Sequence, residues 1–154
     1  MFGSKHKHVI ILSISLFFAG IFFAGLGLST NIILITLTGF MFFGTLPFIN
    51  TSIEVLIRKN IENKKQGRVW SIISMVTYLG SVIAFLVAGF LADHVFNPLL
   101  ELDGMLAGTV GSIIGVGEGR GIALMFVISG AMTSMISLFI WQNKEIKGLE
   151  DAAV

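Results

Sequence analysis

The side chains able to do chemistry are few in this sequence, and each group falls short of a reactive arrangement. His6 and His8 alternate with lysines in "KHKH", which could begin a metal site. Zinc takes three or four protein ligands, and with no further ligands beside them these histidines read as solvated interfacial residues; no metal site is expected. "GVGEGRG", residues 115–121, has the glycine density of a phosphate loop. It lacks a preceding strand and the G-x-x-x-x-G-K spacing, so it reads as a flexible loop or a short re-entry into the next helix. Glu54 and Arg58 stand four residues apart at the end of an apolar run. Such an i,i+4 pair is a modest surface interaction of about 0.2–0.5 kcal/mol, with gating or coupling as its functional alternative. There is no cysteine, no catalytic triad and no carboxylate pair. An enzyme is not expected, and no cofactor is called for. The formal net charge of +1 gives no basic footprint for nucleic acid.

The elements that hold these residues follow from composition. Hydrophobic residues make up 55% of the 154-residue chain and charged residues 12%, and the mean hydropathy is +0.92. A soluble domain carries about 25% charged residues, so this chain has half the polar coat that water requires. Four runs, 9–28, 32–53, 69–92 and 122–141, contain no Asp, Glu, Lys, Arg or His. Each reaches the length of about 20 residues that a helix needs to cross a bilayer. The expected fold is all-α: one polytopic membrane domain of four transmembrane helices, with connecting loops at 54–68 and 93–121. Residues 9–53 as one helix would be about 68 Å long, so the chain must turn at "GLGLSTN", where Ser29, Thr30 and Asn31 are plausible N-caps for the returning helix. A signal peptide is the rival for the first run, but its apolar core is normally about 7–15 residues, which favours a retained helix.

Charge sets the expected topology. Glu62, Lys64, Lys65 and Arg68 crowd into "ENKKQGR" between the second and third runs. With ends alternating between sides, one side holds Lys5, Lys7, Arg58, Lys59, Lys64, Lys65, Arg68, Lys144 and Lys147, and the other holds Arg120 alone. Under the positive-inside rule, both termini and loop 54–68 are cytoplasmic and loop 93–121 is extracytoplasmic. A multi-pass protein of the cell (plasma) membrane, with the lipid bilayer as its first partner, is the expectation.

Face by face, the second run carries Thr38, Thr45 and Ser52 every seven residues, and Pro47 beside Gly44 predicts a kink. These hydroxyls either line a polar pathway or bond their own backbone or a neighbour. The third run places Ser71, Ser74, Tyr78 and Ser81 in a sector of roughly 80°, a candidate cavity wall. Beside them Gly80, Ala84, Ala88 and Ala92 recur every four residues, the small-residue spacing that lets membrane helices pack closely. The first run, dominated by Phe17, Phe18, Phe22 and Phe23, reads as lipid-facing. On the fourth, Ser129, Thr133 and Ser137 with Gly130 read as a packing seam, and Trp141 as an interfacial anchor. No run holds an ionisable group in its central turns, where a proton or ion site would be sought.

Several stretches together resemble the C-terminal half of major facilitator superfamily exporters, particularly the macrolide-efflux-like branch. "IENKKQGRVWSIIS", 61–74, is similar to the cytoplasmic loop entering the fifth helix of that half, with Gln66, Gly67 and Arg68 matching a recurring "QGR". "GFLAD", 89–93, resembles the end of the same helix, "IIGVGEGRGIALMF", 113–126, the entry to the last helix, and "FGSKHK", 2–7, the basic loop before the third. The resemblance covers nearly the whole chain and implies helices nine to twelve of a twelve-helix secondary transporter, the tenth and eleventh bordering the cavity and the ninth and twelfth lying outside. It further implies proton-coupled export of a drug-like small molecule by alternating access, an antiporter whose missing N-terminal helices must come from elsewhere, or which self-associates. The alternative is a free-standing four-helix scaffold or regulatory subunit, with the ladder from Gly80 to Ala92 as its subunit contact.

Overall fold

In hydrocarbon every backbone N–H and C=O must be paired within the chain, and all four apolar runs are helical. The computed structural model describes residues 7–150, so Lys5 and His6 lie outside it. Of the described residues 84% are helical, with no strand among them. In order the elements are α1 (Lys7–Leu28), α2 (Ile32–Asn60), α3 (Asn63–Leu91), a π-helical turn (Ala92–Phe96), α4 (Asn97–Leu100), α5 (Gly111–Ile114), α6 (Arg120–Gln142) and α7 (Lys144–Gly148). Four spans, Lys7–Leu28, Ile32–Asn60, Asn63–Leu100 and Arg120–Gln142, are long and apolar enough to cross a membrane. The α1–α2 turn is built as its residues suggest. Asn31 caps α2, its side chain accepting from the Ile33 N–H at 2.9 Å, while the Ser29 hydroxyl accepts from the Asn31 N–H at 3.0 Å.

Two connections differ from expectation. Residues 54–68 are not a loop: α2 runs to Asn60 and α3 begins at Asn63, leaving only Ile61 and Glu62 between them. Apolarity marks where lipid can surround a helix, not where the helix stops, and Glu, Lys, Arg and Gln are themselves good helix formers. Residues 93–121 likewise fold into a cap. The π turn and α4 extend α3, and the chain then returns through turns in which the Leu106 and Gly117 N–H groups donate to the Leu99 and Leu100 carbonyls at 3.0 and 2.9 Å. Leu100, Ile114 and Leu124 bury together, seating the cap on the first turns of α6. Gly115, Gly117 and Gly119 all have positive φ, at 97°, 114° and 79°. The segment read as a flexible loop or a short re-entry is a glycine turn leading into α6.

The bundle centres on α1, which overturns the lipid-facing reading of that helix. α1 buries Val9, Leu12, Ser13, Ala19, Gly20 and Gly27 and lies between α2 and α6. Phe18 is exposed, Phe23 packs its ring against Phe42 of α2 and Phe126 of α6, with centroids 5.1 and 5.0 Å apart, and the small residues form the seam with α6. A Cβ on Gly20 would stand 2.5 Å from the Gly130 carbonyl oxygen, and one on Gly130 would stand 2.5 Å from the Ala24 amide nitrogen. Hydrogen bonds cross the same seam: the Ser137 hydroxyl donates to the Ser13 carbonyl at 2.6 Å, and the Ser134 hydroxyl to the Phe17 carbonyl at 3.3 Å. The fourth run's expected seam is therefore present, but shifted. Gly130, Ser134 and Ser137 build it, while Ser129 is exposed and Thr133 bonds back to the Ser129 carbonyl at 2.9 Å. α3 has no buried residue over its 29 positions.

Candidate functional site: the open face of α3

α3 carries the polar strip. Ser74 and Tyr78 are exposed, the latter by 75%, and neither side chain has a hydrogen-bond partner among the described residues. Ser71 and Ser81 instead donate to the Gly67 and Thr77 carbonyls of their own helix at 3.0 and 2.8 Å. Above the strip, a cleft of about 460 Å³ separates α3 from α1 and α6, with Ala84, Ala88 and Ala92 on one wall and Phe23, Met125 and Ser129 on the other. Phe85 also lines it. Phe85 stands four residues after Ser81 and seven after Tyr78, so cleft and strip share one side of the helix. Together they make a continuous face, apolar towards the cap and hydroxyl-bearing towards the α2–α3 turn.

The ladder sits on that open side and makes no tight helix contact of the kind its spacing suggests. Gly80 has no atom within 4 Å of where a Cβ would stand, nor has Gly89. Only Ala92, at the junction with the cap, is buried.

The two α2 candidates lie elsewhere. The Thr38 hydroxyl donates to the Leu34 carbonyl at 2.8 Å and its methyl packs on Gly25 of α1. Thr45 donates to the Phe42 carbonyl at 2.7 Å and, with Gly44, Ile14 and Phe18, lines a shallow hollow of about 360 Å³ between α1 and α2. Thr38 and Thr45 thus face the α1 side, apart from Ser74, Tyr78 and Ser81. Helix α2 continues through Pro47.

At the α2–α3 turn the charged residues pair locally. Arg58 bonds Glu54 one turn earlier, with both side chains largely exposed, and Lys65 meets Glu62 at 3.0 Å. Gln66 closes the turn: its amide donates to the Ile61 carbonyl at 3.1 Å and to the Asn63 side chain at 2.9 Å. Gly67 and Arg68 are exposed beside it. The role of Gln66 is thus to satisfy carbonyls freed at the end of α2. No cluster of metal-ligating residues occurs among the described residues.

The least legible polar residue is Glu150. Its carboxylate accepts from the His8 N–H at 3.1 Å and from the Val9 N–H at 3.3 Å, and Lys59 lies 3.6 Å away. Burial by itself would raise this carboxyl, but the two backbone donors, with the charges of Lys59 and His8, outweigh it and hold it below the ordinary glutamate value. Nothing local in "KGLEDAAV" announces this contact, because its donors come from the other end of the chain. Gly20, Ala24 and Gly27, by contrast, stand four and three residues apart, a small-residue spacing that the lipid-facing reading of α1 overlooked. No family model, curated protein or solved structure matches the chain.

Proposed function

We propose that the chain is a membrane-embedded part of a small-molecule transporter of the major facilitator kind, contributing helices equivalent to its ninth to twelfth. The observation that carries this reading is the open face of α3. Tyr78 and Ser74, without hydrogen-bond partners among the described residues, continue an apolar cleft along a helix that buries nothing. A hydroxyl left without a partner in hydrocarbon is costly, so the strip is better accounted for by a wet pathway, or by another polar helix surface, than by lipid. The cleft volume falls within the range of about 300–1,000 Å³ typical of small-molecule sites. In the major facilitator arrangement the eleventh helix borders the cavity, and α3 holds that place in the order.

The remaining helices complete the pathway, from a preceding segment or from further copies. The resemblance supplies the rest of the proposal: export of a drug-like molecule by alternating access, coupled to protons. No span here has an ionisable group in its central turns, so the proton site belongs to the completing helices. Eight of the nine described basic residues fall at the end of the bundle where the described termini meet; the positive-inside rule supports a cytoplasmic side for that end, and the proposed location is the plasma membrane.

The chain contains no cysteine, so single cysteines test the pathway directly. Ser74→Cys, Tyr78→Cys and Ser81→Cys in native membranes are expected to react with a membrane-impermeant maleimide, whereas Val76→Cys and Ile83→Cys, on the opposite side of α3, stay unreactive. Equal protection of all five positions removes the pathway. The second reading, a self-associating scaffold, is favoured by the empty space at Gly80. It predicts that Ala84→Leu with Ala88→Leu abolishes cross-linked oligomers, and oligomers that survive the pair exclude the ladder as their contact.

A further inference from the structure

At the end opposite the cap, the bundle is closed by the C-terminal segment. Ile146 of α7 packs against the cluster of Val9, Leu12 and Leu56, which joins α1 to α2. The chain then turns so that the Glu150 side chain, only 5% exposed, meets the first turn of α1. The first N–H groups of a helix have no intrahelical acceptor, and the positive end of the helix dipole favours an anion there. α1 has no acidic residue in its first turn, and Glu150 satisfies those donors from 142 residues away. Two contacts fix the segment to α2 as well. The Lys59 ammonium stands beside the carboxylate, and the Asn60 side-chain amide donates to the Leu149 carbonyl at 2.9 Å. Asn143 starts α7 firmly, its side chain accepting from the Glu145 N–H at 2.9 Å. The strap is thus anchored at both ends, with Ile146 packed on the apolar cluster between them and one charge holding its tip.

We propose that Glu150 is the catch of an acid-sensitive latch that ties residues 144–150 to the ends of α1 and α2. The charged groups that act on it are Lys59 on α2 and His8 on α1; the strap itself carries Lys144, Glu145 and Lys147. Protonation removes the charge that Lys59 and the helix end attract and leaves the neutral acid fewer and weaker acceptors. The sign follows from the bonding. A carboxylate held below its ordinary value contributes its full stabilisation above the ordinary glutamate range, and loses it as pH falls through the depressed folded value. Release of the tip uncouples the strap from Lys59 and Asn60, at the turn that leads into α3. It also uncovers the Val9–Leu56 cluster. The latch is independent of any transport reading, since it is made wholly of described contacts at one end of the bundle.

The test is amide hydrogen exchange on the full chain in lipid nanodiscs, corrected for intrinsic rates, from about pH 7 to about pH 3. In the wild type, peptides covering 8–12 and 144–150 are expected to lose protection together as the pH falls, ahead of the α1–α6 seam. Glu150→Gln at neutral pH is expected to raise exchange in both peptides about fivefold, the factor that corresponds to losing one helix cap, and to flatten their acid response. Glu150→Asp keeps the charge and is expected to retain part of both the protection and the pH response. The latch is wrong if 8–12 opens while 144–150 stays protected, if neither segment responds, or if the Gln variant keeps the full acid response. Should Gln or Asp variants not reconstitute, the wild-type series decides alone: absence of a joint opening overturns the proposal.

Discussion

The α1–α6 seam and the α3 ladder are built from the same kind of residue and meet opposite fates. On α1, Gly20, Ala24 and Gly27 bring backbone against backbone, and serine hydroxyls from α6 bond α1 carbonyls across the gap. On α3, Gly80, Ala84 and Ala88 have the regular four-residue spacing and border open space or a cleft. Small residues permit close approach but do not cause it, since in lipid there is little hydrophobic force between helices and association rests on complementary packing and interhelical hydrogen bonds. α6 presents Gly130 opposite Gly20, with Ser134 and Ser137 at the right heights. Nothing within the described chain presents such a surface to α3, and its face stays open.

The sharpest way to break this comparison is one substitution made in both places. Gly130→Ala drives a methyl into the Gly20 and Ala24 backbone and is expected to cost about 1–3 kcal/mol, read as a lower midpoint in denaturing-detergent unfolding. Gly80→Ala meets nothing, and is expected to change stability by less than about 1 kcal/mol and in the favourable direction, because alanine is the better helix former. If both variants lose stability alike, α3 is packed as tightly as α1 in the membrane. A smaller effect sharpens the contrast between hydroxyls. Ser137→Ala removes a bond between helices and should cost about 0.6 kcal/mol, at most about 1.7. Ser81→Ala, whose hydroxyl returns to its own backbone, should be close to neutral in the same assay.

The charged stretch between α2 and α3 shows a different limit of legibility. Glu54, Arg58, Lys64, Lys65 and Arg68 break the apolar run, and reading them as a loop followed from treating hydropathy as a measure of secondary structure. In the fold they decorate two helix ends joined by two residues, and the contact that matters for the turn is made by uncharged Gln66. The polar strip was legible for a better reason. Ser74, Tyr78 and Ser81 share a face through helical periodicity alone, and periodicity survives whatever the helix packs against. Thr38 and Thr45 were equally regular, yet their face is directed towards α1, a matter of helix rotation that spacing leaves open.

By itself the sequence determined four apolar helices, a turn at residues 29–31 between the first two, and the grouping of hydroxyls on one side of α3. All of these are local: they depend on transfer to lipid, on a 3.6-residue period and on short-range capping. The tertiary structure alone decided that α1 is the centre of the bundle, that residues 92–119 form a seated cap, and that Glu150 reaches the start of α1. Those outcomes depend on which surfaces fit one another and on donors far apart along the chain. No local pattern of residues encodes a partner that the fold brings in from 142 positions away.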